Sequence, residues 1–334
     1  MIQENTTWEE MLAEFRALGG IADNVRLGYG RYGRGLFPID PSRPVAIRIP
    51  PSLLVRVEYL TFENGVLRVS PTSSLSLRGR TFLEQYEREF SWGAEGRLEI
   101  ERFLETMQSV PDHLRELLIG KFHLGKFYKP VTPELLQTLF IDSRSIQSGG
   151  HRVVMPIIEL ANHGPLAGYA TERGVSLGGT FADEVLVQYS GTVDAYGMFR
   201  NWMFAAEEPL AFSIGMMIEA EGKYIQIDRK FEGEPSPWVP QATFDGTLVS
   251  LDYLLLGNRN FPRVPKGAFY RAMSAVGVTV SDETYELIQH ANRRNFLELI
   301  GALEGIESPA MPLLRKLAHS QLTSLSYHYG LRQV

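Results

Sequence analysis

The 334-residue chain contains no cysteine, which excludes disulfides, thiolate-held zinc and a thiol nucleophile. It has no run of eighteen apolar residues, so no segment reads as a membrane-spanning helix. The opening MIQENTTWEEMLAEF lacks the basic-then-apolar order of an export signal. A cytoplasmic protein with no membrane partner is expected. Excess positive charge is also missing: 33 basic and 39 acidic residues are well mixed and give a formal net charge of -6, so no nucleic-acid partner is expected. The seven histidines are scattered, and His151, Glu159 and His163 do not compose a ligand set, so no metal is expected. The sequence marks of an α/β-hydrolase, a zincin and a P-loop are absent.

What is present is material for a core. With 44% hydrophobic residues, the chain can build one large domain or two modest ones. Trp8, Met11, Leu12, Phe15 and Leu18 recur at helical spacing and stop at Gly19-Gly20, which predicts an amphipathic helix. From Val25 to about Val69, short apolar runs broken by Gly and Pro predict strands and turns. Helical spacing returns from about Thr81 to Ile146, with Thr132 as N-cap and Pro133 at the first helical position. Strand texture resumes at Val153 to Leu160, recurs at Glu184 to Tyr189, and continues to about Ile227. A loop is expected at EGEPSPWVP, residues 232–240, followed by a mainly helical region with long helices over about 282–305 and 309–329, capped by Ser281 and Ser308.

Gly28-x-Gly30-x-x-Gly33 formally matches a dinucleotide-binding fingerprint. The helix that should follow it contains Pro38, Pro41 and Pro44, and proline removes a backbone donor and clashes with the preceding turn, so the match is set aside.

Four other segments occur in a telling order. Gly33-Arg34-Gly35-Leu36-Phe37 is a glycine-bearing turn, and Phe140-Ile141-Asp142-Ser143-Arg144-Ser145 ends the helical stretch. Pro156-Ile157-Ile158-Glu159-Leu160-Ala161-Asn162-His163-Gly164 follows, and then Asp183-Glu184-Val185-Leu186-Val187-Gln188-Tyr189-Ser190. Taken together they resemble the "G-x-G-L-F/V", "S-R-x-F", "P-x-x-D-x-x-N-H-S" and "G-E-E-I-F-I-S-Y-G" elements of SET-domain protein-lysine N-methyltransferases, in particular the subfamily typified by the Rubisco large-subunit lysine methyltransferase. The resemblance runs in order from about residue 8 to 215, and more loosely to the end of the chain.

That resemblance implies an α+β fold. A SET domain of small twisted sheets would occupy residues 1–228, with a helical insert over about 81–146, and a mainly helical domain would occupy 229–334. It implies S-adenosylmethionine as cofactor, contacted by Gly33, Arg34, Gly35, Leu36, Ser143, Arg144, Asn162, His163 and Tyr189. The acceptor would be an accessible lysine of a protein. Tyr189 would be the catalytic hydroxyl, and Leu160, Ala161, Trp202 and Phe204 would line the substrate channel. Transfer from a sulfonium to an amine is an in-line displacement that needs a neutral, aligned amine, which a narrow and partly dry channel favours.

Two departures stand out. Glu159 occupies the Asp position, and Trp202-Met203-Phe204 stands where the family has Y-G-F, so one channel hydroxyl is missing. Two other readings therefore stay open: a SET-fold binding protein with weak or no transfer activity, and an N-methyltransferase acting on a small-molecule amine.

Overall fold

The structure is a computed structural model, described here for residues 6–165, 168–229 and 238–326. It mixes helices with small sheets and divides into two compact units. One comprises Met1–Arg102 and Val131–Gly191, the other Phe103–Pro130 and Thr192–Val334.

The first unit opens with helix α1 (Trp8–Ala17), fixed by a capping box in which the Thr7 hydroxyl accepts from the Glu10 N–H and the Glu10 carboxylate accepts from the Thr7 N–H. Its buried residues are Met11, Leu12 and Phe15. Strands β1 (Ile21–Asp23), β2 (Val25–Gly30), β3 (Gly33–Pro38), β4 (Val45–Ile49), β5 (Val55–Arg56), β6 (Leu60–Glu63) and β7 (Val66–Val69) follow. The set-aside glycine fingerprint is the β2–β3 hairpin, in which Gly30 pairs with Gly33 and no helix follows. Gly33 holds φ at +95°, a region that favours glycine.

Helix α2 (Leu77–Phe90) is capped by Ser76 and buries Gly79, Phe82, Leu83, Tyr86, Glu87 and Phe90, one stripe at spacings of three and four. Phe82 stacks against Phe15, while Trp8 meets Phe90 edge-on. A π-helical turn, Trp92–Gly96, leads into α3 (Arg97–Gln108), within which the unit boundary falls. After α4 (Asp112–Gly120), which belongs to the second unit, comes α5 (Pro133–Arg144) with Thr132 as N-cap and Pro133 at its start, as expected.

Strands β8 (Ser145–Ser148) and β9 (His151–Val154) form a sheet with β5 in the order β5-β9-β8. The strand expected to run to Leu160 ends at Val154. Pro156 offers no ladder donor, Ile157 sits at φ +71°, and Ile158–Leu160 form a 3-10 turn. Strand β10 (Asn162–His163) follows, then β11 (Val175–Gly179), which completes the sheet β1-β4-β11. Strand β12 is only Leu186–Val187, shorter than the expected 184–189, and pairs in parallel with β10.

The second unit includes α6 (Ala195–Trp202), β13 (Leu210–Phe212), β14 (Met216–Ala220), β15 (Lys223–Ile227), β16 (Ala242–Phe244), β17 (Leu248–Leu251) and β18 (Leu255–Asn258). Strands β14 to β17 make one sheet in the order β14-β15-β17-β16, and β13 pairs with β18. Helices α7 (Val264–Ala275), α8 (Asp282–Ala302) and α9 (Met311–Ser326) complete it, so the helical C-terminal part begins at Val264, after three strands. At Gly257 a Cβ would lie 2.2 Å from the Ser324 carbonyl oxygen, so the approach of α9 to β18 requires glycine. Most of the expected loop over 232–240, and the end of the last expected helix beyond Ser326, lie outside the described residues.

Candidate functional site

Three of the singled-out segments are knitted together within the first unit. The Val185 N–H donates to the Leu36 carbonyl at 2.8 Å, which ties the segment leading to Tyr189 onto the glycine turn. The Asn162 amide donates to the Arg34 carbonyl at 3.0 Å and to Glu184 Oε1 at 2.5 Å. Gly35 lies beneath this arrangement: a Cβ there would come within 2.5 Å of Glu184 Oε1 and 2.7 Å of Asn162 Nδ2. Its role is thus to admit two polar side chains close to the backbone. Gly33, by contrast, has open space where a Cβ would stand. Burial pushes the Glu184 carboxyl above its ordinary pKa, while the Asn162 hydrogen bond opposes that shift.

Tyr189 closes the group from the other side. Its hydroxyl donates to the Ala161 carbonyl at 2.9 Å, and its N–H donates to His163 Nδ1 at 3.3 Å, with the two rings edge-on at 5.3 Å. Acceptance at Nδ1 assigns the His163 ring proton to Nε2. Burial raises the Tyr189 hydroxyl pKa to about 12, so it is a neutral donor at every physiological pH. Leu160 and Ala161 are buried on the 3-10 turn and the residue after it, so the Ala161 carbonyl oxygen already holds the tyrosine hydroxyl.

The fourth segment brings a charge. Arg144, the last residue of α5, donates from Nη2 to Glu99 at 3.1 Å, and its Nε lies 3.8 Å from Glu159 Oε2. The guanidinium also sits over the Phe140 ring at 5.4 Å. Ser143 turns its hydroxyl back to the Phe140 carbonyl of its own helix, and Ser145 does the same to the Ile141 carbonyl, so these two hydroxyls are spent locally.

Behind Arg144 lies a buried acidic centre. The Tyr86 hydroxyl donates to Glu159 Oε1 at 2.8 Å, and Glu87 and Ser91, both buried, interact with the same carboxylate. Glu87 Oε2, Glu159 Oε2, Ser91 Oγ and Arg144 Nε are buried without a hydrogen bond of good geometry. Ser91 is nonetheless near enough to stabilise both carboxylates.

Tyr86, Glu87, Ser91, Glu99 and Tyr169 did not emerge from the sequence. Glu87 carried a legible signal, since it falls within the apolar stripe of α2. Tyr169 carried none. Its hydroxyl is pushed well above its ordinary pKa by desolvation first and then by Tyr189 and Glu159, which places it in the same neighbourhood. Trp202 and Phe204 belong to the second unit. Trp202 ends α6, Met203 caps the helix at φ +63°, and Trp202 and Phe204 are half-buried.

A cationic, amino-acid-like ligand needs acceptor oxygens for its positive groups and a guanidinium for its carboxylate. The donor set fits S-adenosylmethionine on those terms: the Arg144 Nε is buried and orphaned, and the Ala161 carbonyl, Tyr189 hydroxyl and Glu184 carboxylate supply oxygens. Among the described residues no group of three or more side chains could hold a metal ion, and no helix is long and apolar enough to cross a membrane.

No family model matches the chain, and no curated protein matches it by sequence. Among solved structures, the chain is similar to that of Rubisco LSMT bound to AdoMet, with 14% identity, 97% of this chain and 90% of that one covered, and a TM-score of 0.48. It is similar also to the SET domain of LSMT bound to lysine and AdoHcy, with 15% identity, 97% and 90% coverage, and a TM-score of 0.45. A third, Rubisco LSMT bound to sinefungin and monomethyllysine, has 15% identity, 95% and 89% coverage, and a TM-score of 0.45.

Proposed function

We propose that the chain is a SET-domain methyltransferase that binds S-adenosylmethionine and methylates a lysine side-chain amine, with a protein as the acceptor. The SET domain would occupy residues 1–228 and the C-terminal domain 229–334. The observation that carries this reading is the convergence of Arg34, Asn162, Glu184 and Tyr189, drawn from three separated segments, on one hydrogen-bonded group.

When bound, the cofactor would supply a sulfonium-activated methyl group. Arg144 would hold its carboxylate, the turn at Gly33 to Leu36 would bed its backbone-like portion, and Asn162 and His163 would fix the remaining polar edge. Tyr189 would do two things with one hydroxyl. Its proton goes to the Ala161 carbonyl, and its oxygen would contact the polarised methyl or the acceptor amine. Because that hydroxyl stays protonated to about pH 12, it orients the amine without removing its proton, and the amine reacts in the neutral form favoured by a dry channel. Leu160 and Ala161 would wall that channel within the first unit.

Calorimetric titration with S-adenosylhomocysteine tests the cofactor half of this reading. A saturable one-to-one isotherm is expected, weakened at least about tenfold in Asn162→Ala, equivalent to about 1.4 kcal/mol. The absence of binding to the wild-type chain would contradict the reading.

A further inference from the structure

The buried acidic centre has a charge problem that its own geometry resolves. Two carboxylates, Glu87 on α2 and Glu159 on the 3-10 turn, are 1% and 6% exposed, and Tyr86 and Ser91 stand beside them. Arg144 lies 3.8 Å from Glu159 and is already shared with Glu99 on α3. Charged or titratable groups facing this centre from the surrounding elements are Arg34, Tyr86, Glu99, Arg144, Tyr169 and Tyr189. With both inner carboxylates ionised, Arg144, already shared with Glu99, and Arg34, which pairs with Glu95 at 3.6 Å, would have to offset two further charges in a desolvated place, which buried charge does not tolerate.

We infer that Glu87 and Glu159 hold one proton between them and act as a single buried negative charge that fixes the Arg144 guanidinium in the site. The proton is assigned mainly to Glu87, because Glu159, whose Oε2 lies 3.8 Å from the Arg144 Nε, keeps the charge toward the cation. Both carboxyls are raised by burial, and the Glu159 charge raises Glu87 further, whereas Arg144 draws Glu159 back down. Glu87 and Glu159 are thus positioning residues that act through Arg144. The functional consequence rests on the cofactor reading above, but the shared proton does not.

Infrared spectra of the ligand-free chain at pH 7, with single and double glutamine variants, test the inference. The wild-type chain should show a carboxylic-acid C=O band. Each of Glu87→Gln and Glu159→Gln should lose it, because the remaining carboxylate must ionise to face Arg144. A wild type without the band, or a band that persists in both single variants, would overturn the shared proton whether or not any cofactor binds.

Titration with S-adenosylhomocysteine then reads the positioning role. Each single variant keeps one negative charge and should bind within about tenfold of wild type. The double variant should weaken binding by more than about 100-fold, beyond the product of the singles, as coupled groups do. Multiplicative single effects would contradict the common charge. A wild-type chain that binds nothing would instead fail the cofactor reading and leave the infrared result to decide the pair.

Discussion

Each unit buries carboxylates, and the two treat them in opposite ways. In the second unit, Asp194 is fully buried and saturated. Its Oδ1 accepts from the Gly197 N–H and from Arg229 Nη2, each at 2.8 Å, and its Oδ2 accepts from the Phe212 N–H at 2.9 Å and from Gln321 Nε2 at 2.7 Å. In the first unit, Glu87 and Glu159 each keep an oxygen without a hydrogen bond, close to a guanidinium whose Nε is equally unspent. A buried charge that only holds the fold together is expected to have its lone pairs filled. On the reading proposed above, hydrogen-bonding capacity left open beside the buried Arg144 is what the cofactor would use, whereas the Asp194 carboxylate already accepts four hydrogen bonds.

The largest effect should come from breaking the saturated side. Asp194→Ala removes the α6 cap and strands Arg229, which is 7% exposed, so a loss of about 3–5 kcal/mol is expected in denaturant unfolding. Glu87→Gln should cost far less, because a neutral amide replaces a carboxyl that is already protonated; an equal loss in the two variants would erase the distinction. Next, Tyr189→Phe should lower methyl transfer by about 100-fold while costing only about 1–2 kcal/mol in unfolding, since one oriented hydroxyl and its bond to the Ala161 carbonyl are lost from a packed ring. Gly35→Ala should destabilise by about 1–3 kcal/mol and weaken S-adenosylhomocysteine binding, because its Cβ collides with Asn162 and Glu184. Gly33→Ala meets no neighbour and carries only backbone strain, so a greater loss of binding there than at Gly35 would count against the described packing.

The smallest expected effect lies at a helix end of the second unit. Ser281 occupies the N-cap of α8, but the cap is supplied by Glu221, whose Oε1 accepts from the Ser281 N–H at 2.9 Å and from the Thr284 hydroxyl at 2.8 Å. These bonds lower the Glu221 pKa to about 2. A depressed acid stabilises above its unfolded value and loses that contribution as pH falls through its folded one. Glu221→Gln should therefore lower the Tm slightly at neutral pH, and the gap to wild type should close between about pH 4 and 2; a gap independent of pH would reject this cap.

Much of this was legible in the sequence because local rules and the fold agree there. The cap at Thr132, the opening helix and the rejection of the glycine fingerprint all followed from residues within a turn of one another, whereas Ser281 sits at the N-cap of α8 without a side-chain cap bond of its own. The segments at 33–36, 162–163 and 184–189 were found in order, but which atoms meet depends on the β10–β12 pairing and on Asn162 reaching across 128 residues to Arg34. Strand extents were overread at Val153 to Leu160, where apolar texture continues through Pro156 into a 3-10 turn. Glu87 was missed although its spacing placed it on the buried stripe of α2, because a carboxylate on an apolar face is ordinarily read as an exception to the stripe rather than as a site.

The central claim, methyl transfer to a lysine-type amine, is tested most directly with methyl-labelled S-adenosylmethionine and lysate of the source cells, comparing the wild-type chain with Tyr189→Phe across pH 7 to 10. The account predicts label in protein that rises with pH as the acceptor amine loses its proton, with no decline from Tyr189, whose pKa is about 12, and a strong loss of label in the variant. Label confined to small molecules, equal label in the two chains, or none despite cofactor binding would contradict it.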